Sequence, residues 1–161
     1  MYRTALTAIF LSIILALQIS GLPKPILGVI VNAIYIVLFM EGGIGHVFML
    51  AVLSPSLALL TGHLPPPLIP MSPFLALGNI VMILCYGALR EKGKMARILA
   101  PSIAKALLIA LVGAALADRV GGDPATRMAF HIVMAIQFFT AVPGIYLGEY
   151  LYSRLSKAIV K

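Results

Sequence analysis

Six long apolar runs follow one another along this chain, parted by short stretches rich in glycine, proline or charge. A helix needs roughly 20 mostly apolar residues to cross the hydrocarbon of a bilayer. The pattern predicts helices over about 4–20, 26–40, 46–61, 74–89, 95–117 and 125–152. Gly21-Leu22-Pro23-Lys24-Pro25 ends the first, and Glu41-Gly42-Gly43-Ile44-Gly45 reads as a turn. Segment 62–73 holds five prolines, which remove backbone donors and fix φ, so it is expected as an extended, stiff, apolar loop. The charged stretch 90–94 ends the fourth helix, a polar loop is expected over 118–124, and a basic tail runs to Lys161. The second, third and fourth runs are short for spans. Six full crossings are expected, the alternative being that the second and third form one re-entrant hairpin. No period of 20–50 residues repeats.

Composition explains why lipid must be the solvent. Of 161 residues, 61% are hydrophobic and 11% charged, against roughly 25% charged in soluble domains. A water-soluble fold of this size cannot hide so much apolar surface. The expectation is therefore an all-α integral membrane protein forming a single domain over residues 1–161, with almost nothing outside the bilayer. The net charge of +7 does not point to nucleic acid, because the basic residues sit at the ends of apolar runs. The single cysteine, Cys85, lies within such a run, which excludes a disulfide framework or a cysteine metal site in one chain. The first run resembles a signal peptide but is too long, and Gln18-Ile19-Ser20 is a poor cleavage site; a retained helix is expected.

The basic residues also set an expected orientation. With the N-terminus in the cytoplasm, the inner segments hold Arg3, Arg90, Lys92, Lys94, Arg97, Arg154, Lys157 and Lys161, whereas the outer loops hold Lys24, Arg119 and Arg127. That asymmetry favours both termini in the cytoplasm of a multi-pass protein of the cell membrane. It puts the proline-rich loop outside.

Polar side chains are costly in hydrocarbon and need an explanation. Asn32, Asn79, His131 and Gln137 fall in the outer half or near the middle of their helices, and His63 lies in the outer loop. Their common depth suggests a polar pocket open to the outside and roofed by loop 64–73. Each has a plainer reading: asparagine and glutamine bond across helices as packing glue, and the histidines face interfacial water, as His46 does near the inner surface. Lys105, near the middle of its helix, costs roughly 2.5–3.5 kcal/mol or more to insert. It either meets a carboxylate or phosphate on a ligand or snorkels inward, since Arg97, Pro101 and Lys105 share one helical face. No HExxH, paired-carboxylate or phosphate-loop motif appears. No catalytic residue is expected, the chain is not read as an enzyme, and any ATP chemistry belongs to another chain. On the first helix, Thr4, Ala8, Ser12 and Ala16 recur every four residues as a strip of small side chains, suited to packing within the monomer or to docking a partner.

Taken together, these features resemble the substrate-binding S component of an energy-coupling factor (ECF) transporter. The resemblance rests on six spans, both ends inside, the strip on helix 1, and a run of local matches. These are Gly28-Val29-Ile30-Val31-Asn32-Ala33, Ser54-Pro55, Ala58, Thr61-Gly62-His63-Leu64-Pro65-Pro66-Pro67, Pro73-Phe74 and Leu77-Gly78-Asn79. It implies an S-component-like bundle that captures a small vitamin-like molecule from outside. It also implies partners: a transmembrane coupling subunit docked on the helix 1 strip and two ATPase subunits that hydrolyse ATP, with no cofactor on this chain. Related metal-uptake proteins bind nickel or cobalt through a Met-His start; here the second residue is Tyr2, so no metal site is expected. Other readings are a structural or assembly protein of the envelope and a small lipid-acting membrane enzyme.

Overall fold

The computed structural model describes residues 2–119 and 124–159, and the described residues are helical with short connections. Residues 120–123 of the expected polar loop and Lys161 of the basic tail lie outside the described residues. The helices are α1 (Tyr2–Ile19), α2 (Lys24–Gly42), α3 (Ile44–Leu60), α4 (Ser72–Ala88), α5 (Lys94–Arg119) and α6 (Pro124–Ile159). Among the described residues, five stretches, built on α1, α2, α4, α5 and α6, are long and apolar enough to cross a membrane. The apolar α3 has 17 residues, about 25 Å at 1.5 Å per residue. The architecture is that of a multi-pass membrane bundle.

Three boundaries depart from the expected ones for local reasons. The expected five-residue turn at 41–45 shrinks to one residue, Gly43. Its φ of 81° breaks the helix, while Glu41 and Gly42 complete the last turn of α2 and Ile44 begins α3. Helix α6 continues to Ile159 instead of ending near 152, since nothing after Tyr152 breaks a helix. The proline-rich segment is not uniformly extended, because Pro66–Met71 forms a 3-10 helix. Prolines are tolerated in a first turn, whose N–H groups have no partner anyway. The bonds that matter are supplied by other residues: Leu68 N donates to Pro65 O (2.8 Å) and Ser72 N to Ile69 O.

In cross-section the six helices form a closed ring in the order α1, α2, α6, α5, α4, α3, each packed on the next, with the most extensive contact between α2 and α6. Helix α2 also leans on α3 and α4, so Asn32 to Leu38 are all buried. Helices α2 and α3 meet at Gly43, at the end of the bundle near Arg3 and Arg90, and their far ends come together where Lys24 Nζ donates to the His63 carbonyl. One end of the bundle carries Arg3, Gly43, Arg90 and Tyr150; the other carries Lys24, His63 and Pro65. A large apolar core around Tyr35, Leu50, Met82 and Ile145 fills the first end and the middle. A smaller one around Leu68, Met71, Ile109 and Phe130 ties the 3-10 helix to α5 and α6.

Candidate functional site

Between these cores lies a cavity of about 220 Å³ that reaches the surface beside the exposed Lys24 and Pro65. Its walls are largely apolar, with Leu27, Val31, Leu64, Leu68, Leu75, Val133 and Ile136 among them. Every helix of the ring sends at least one polar side chain into it: Gln18 from α1, Asn32 and Tyr35 from α2, Ser54 from α3, Asn79 from α4, Lys105 from α5, and Gln137 and Thr140 from α6. An apolar chamber with a few convergent polar groups is the usual form of a small-molecule site.

At its deep end Lys105 is 3% exposed and donates from Nζ to Asn32 Oδ1 at 2.8 Å. It crosses toward α2 and does not snorkel. Arg97, eight residues earlier, is engaged elsewhere: its guanidinium grips Glu149 in a two-pronged pair, with Nη2 to Oε2 at 3.1 Å, and Tyr86 Oη donates to the same carboxylate at 3.0 Å. The alternative of an inward-directed basic stripe on α5 is therefore not what the side chains make. No Asp or Glu stands among the described residues that line the cavity.

A second polar chain crosses from α4 to α3. Asn79 Nδ2 donates to Tyr35 Oη at 3.2 Å, and Tyr35 Oη and Ser54 Oγ share a hydrogen bond of 2.6 Å. Gln18 Nε2 donates to the Ser54 carbonyl at 3.2 Å. That leaves Gln18 Oε1 buried and without a hydrogen-bond partner among the described residues. Such an atom costs on the order of 1–3 kcal/mol.

The position of Asn32 is set by backbone approach. Gly144 and Gly148 on α6 meet α2 so closely that a Cβ on Gly144 would lie 2.5 Å from Asn32 Cβ and 2.9 Å from Val29 O. A Cβ on Gly148 would lie 2.7 Å from Ala33 O. This is the small-xxx-small mode of close helix packing.

Of the residues expected at the site from sequence, Asn32, Asn79, Lys105, Gln137 and His63 all line the cavity. His63 stands at the mouth, bonded through Nδ1 to Thr61 Oγ1 (3.0 Å), while Lys24 Nζ donates to its carbonyl at 3.1 Å. His131 does not join them. It is exposed, its Nδ1 lies 2.7 Å from the Arg127 carbonyl, and it is absent from the cavity wall. Six residues separate His131 from Gln137, which turns it about 120° away around a helix with 3.6 residues per turn. Gln18, Tyr35, Ser54, Thr140 and Lys24 were not anticipated. Tyr35 was findable, lying three residues from Asn32 and hence on its face. So was the Gly144-x-x-x-Gly148 spacing. Gln18, close to the end of its helix, reads in sequence only as an interfacial residue.

The strip on α1 is exposed at all four positions, Thr4, Ala8, Ser12 and Ala16, while Thr7, Ile14 and Gln18 make the buried face. Packing inside the monomer therefore does not account for it. Ser12 Oγ donates to Ala8 O (2.9 Å), so the strip presents little unsatisfied polarity. No family model matches the chain, and no curated protein or solved structure does either.

Proposed function

We propose that this chain is the substrate-capture subunit of an ECF-type ATP-driven importer in the cell membrane. In this reading it holds a small, vitamin-like molecule in the cavity and delivers it through a transmembrane coupling subunit served by two ATPase subunits. The observation that carries the reading is the convergence of polar side chains from all six helices on one apolar chamber that reaches a single end of the bundle. Several of these groups also bond from helix to helix, Lys105 to Asn32 and Asn79 through Tyr35 to Ser54, yet all of them line one shared space.

Two further features support it. The mouth, at Lys24, His63 and Pro65, is at the end opposite the one bearing Arg3, Arg90 and Lys94. With the basic end in the cytoplasm, as the excess of Lys and Arg there favours, both termini are cytoplasmic and the mouth opens outward. The exposed strip on α1 then offers a docking face for the coupling subunit, with small side chains allowing close approach. The chain itself carries out no chemical step and binds no cofactor.

The experiment is uptake by the reconstituted complex. The chain is co-expressed with candidate coupling and ATPase subunits, and Ala8→Leu and Ser12→Leu are introduced singly. Both variants should retain ligand binding as isolated chains and lose most ATP-dependent uptake and co-purification of the coupling subunit. Full uptake with leucine at both positions would refute the docking assignment. A chain that neither binds a small molecule nor co-purifies with a coupling subunit would refute the function.

A further inference from the structure

The chemistry of the cavity wall specifies more than a small molecule. Resting on the capture reading, we infer that the ligand is a small organic monocarboxylate with an N–H or O–H donor at the end remote from its carboxylate. Three observations converge on this.

The first is charge. The cavity holds a buried lysine at depth and a second, Lys24, at its mouth, and no acidic residue stands among the described residues lining it. A lysine buried with only the Asn32 carbonyl oxygen for a partner has none of the counter-charge that a buried cation requires. A carboxylate beside Lys105 supplies it. A phosphate carries nearly two charges and three acceptor oxygens, more than one buried ammonium offset by no second deep cation accommodates.

The second is Gln18. Its Nε2 is committed to the Ser54 carbonyl, and its Oε1 is buried with no donor among the described residues, in a side chain 7% exposed that forms part of the cavity wall. The terminal torsion of glutamine is broad. A modest turn of the amide therefore aims Oε1 at a donor on a ligand.

The third is placement. In the ring of helices α1 stands across from α5, with α2 and α6 on one side and α3 and α4 on the other. Gln18 and Lys105 thus approach from opposite walls, and the apolar Leu27, Val31 and Leu75 lie among the residues lining the space. A ligand complementary to this is an anion at one end, apolar in the middle and a donor at the other. A volume of about 220 Å³ is below the roughly 300 Å³ at which drug-sized pockets begin, so the molecule is small.

The test uses the purified full chain in detergent micelles and native mass spectrometry to read retained mass. The probes are N-acetyl ω-amino acids from N-acetylglycine to 6-acetamidohexanoate. Each is paired with its primary amide, which lacks the charge, and with the methyl-ketone acid in which CH₂ replaces the N–H. At least one acid should be retained tenfold or more over its amide and severalfold over its ketone analogue. In Lys105→Met the preference for acid over amide should fall to within twofold. In Gln18→Leu the preference for N–H over CH₂ should vanish while the acid preference stays. Equal or better retention of the neutral amides by the unmodified chain overturns the carboxylate assignment and leaves capture standing. Equal retention of ketone and amide-containing acids overturns the role of Gln18. Retention of none overturns this inference, while the capture reading stands or falls on the uptake and co-purification experiment.

Discussion

The close crossing of α2 and α6 makes the sharpest claim about energetics, and Gly144→Ala addresses it. The added Cβ would stand 2.5 Å from Asn32 Cβ and 2.9 Å from the Val29 carbonyl oxygen, whereas carbon atoms pack best at about 3.5–4.0 Å. A backbone carbonyl cannot rotate away as a side chain can, so the two helices must part by about 1 Å. Overpacking of this kind costs about 1–3 kcal/mol, occasionally more, and alanine returns about 1 kcal/mol of helix propensity relative to glycine. With backbone as the obstacle the cost should fall at the upper end, for a net loss of about 2 kcal/mol. In a chain of this size that lowers Tm by about 4–8 °C. The single cysteine, Cys85, is half-buried in α4. A thiol-reactive fluorogenic dye on the detergent-solubilised protein therefore follows unfolding directly. Gly45→Ala is the matched control: a Cβ there meets nothing within 4 Å, so its Tm should equal or slightly exceed that of the parent. A Gly144→Ala protein as stable as the parent would refute the close crossing and with it the placement of Asn32.

Asn32→Ala and Asn79→Ala should each weaken ligand binding about tenfold, equivalent to roughly 1.4 kcal/mol, when titrated with any probe the chain retains; normal binding with a lowered Tm would assign them to helix packing instead. On a Cys85→Ser background, Pro66→Cys should react with a membrane-impermeant thiol reagent applied to intact cells, and Lys157→Cys only after permeabilisation; the reverse pattern would invert the topology. Glu149→Gln should lower stability by about 1.5–2 kcal/mol, within the roughly 1.5–3 kcal/mol range for hydrogen bonds to charged groups. The lower part of that range applies because the Arg97 side chain is 27% exposed. An unchanged thermal midpoint would make the pair a surface contact without weight.

How much of this was legible beforehand differs between depth and direction. Rise per residue in a helix is fixed at 1.5 Å, so once the apolar runs were located, the depths of Asn32, Asn79, Lys105 and Gln137 followed from counting. The runs themselves were visible because lipid tolerates few polar residues over a span. Lys105 stood out for the same reason. Rotation about each helix axis was not legible. A helix buried on all sides with one hydroxyl, Tyr35, among its apolar residues, as α2 is from Ala33 to Leu38, has almost no polar face to orient it. Azimuth is then decided by packing, here by the approach of Gly144 and Gly148 to α2. That is why His131, at the expected depth, points away from the cavity while Gln18, not among the expected site residues, forms part of it. The convergence of polar groups from six helices, and the closed order of the ring that makes it possible, belong to the tertiary structure alone, because contacts between helices distant in sequence leave no periodic mark on either.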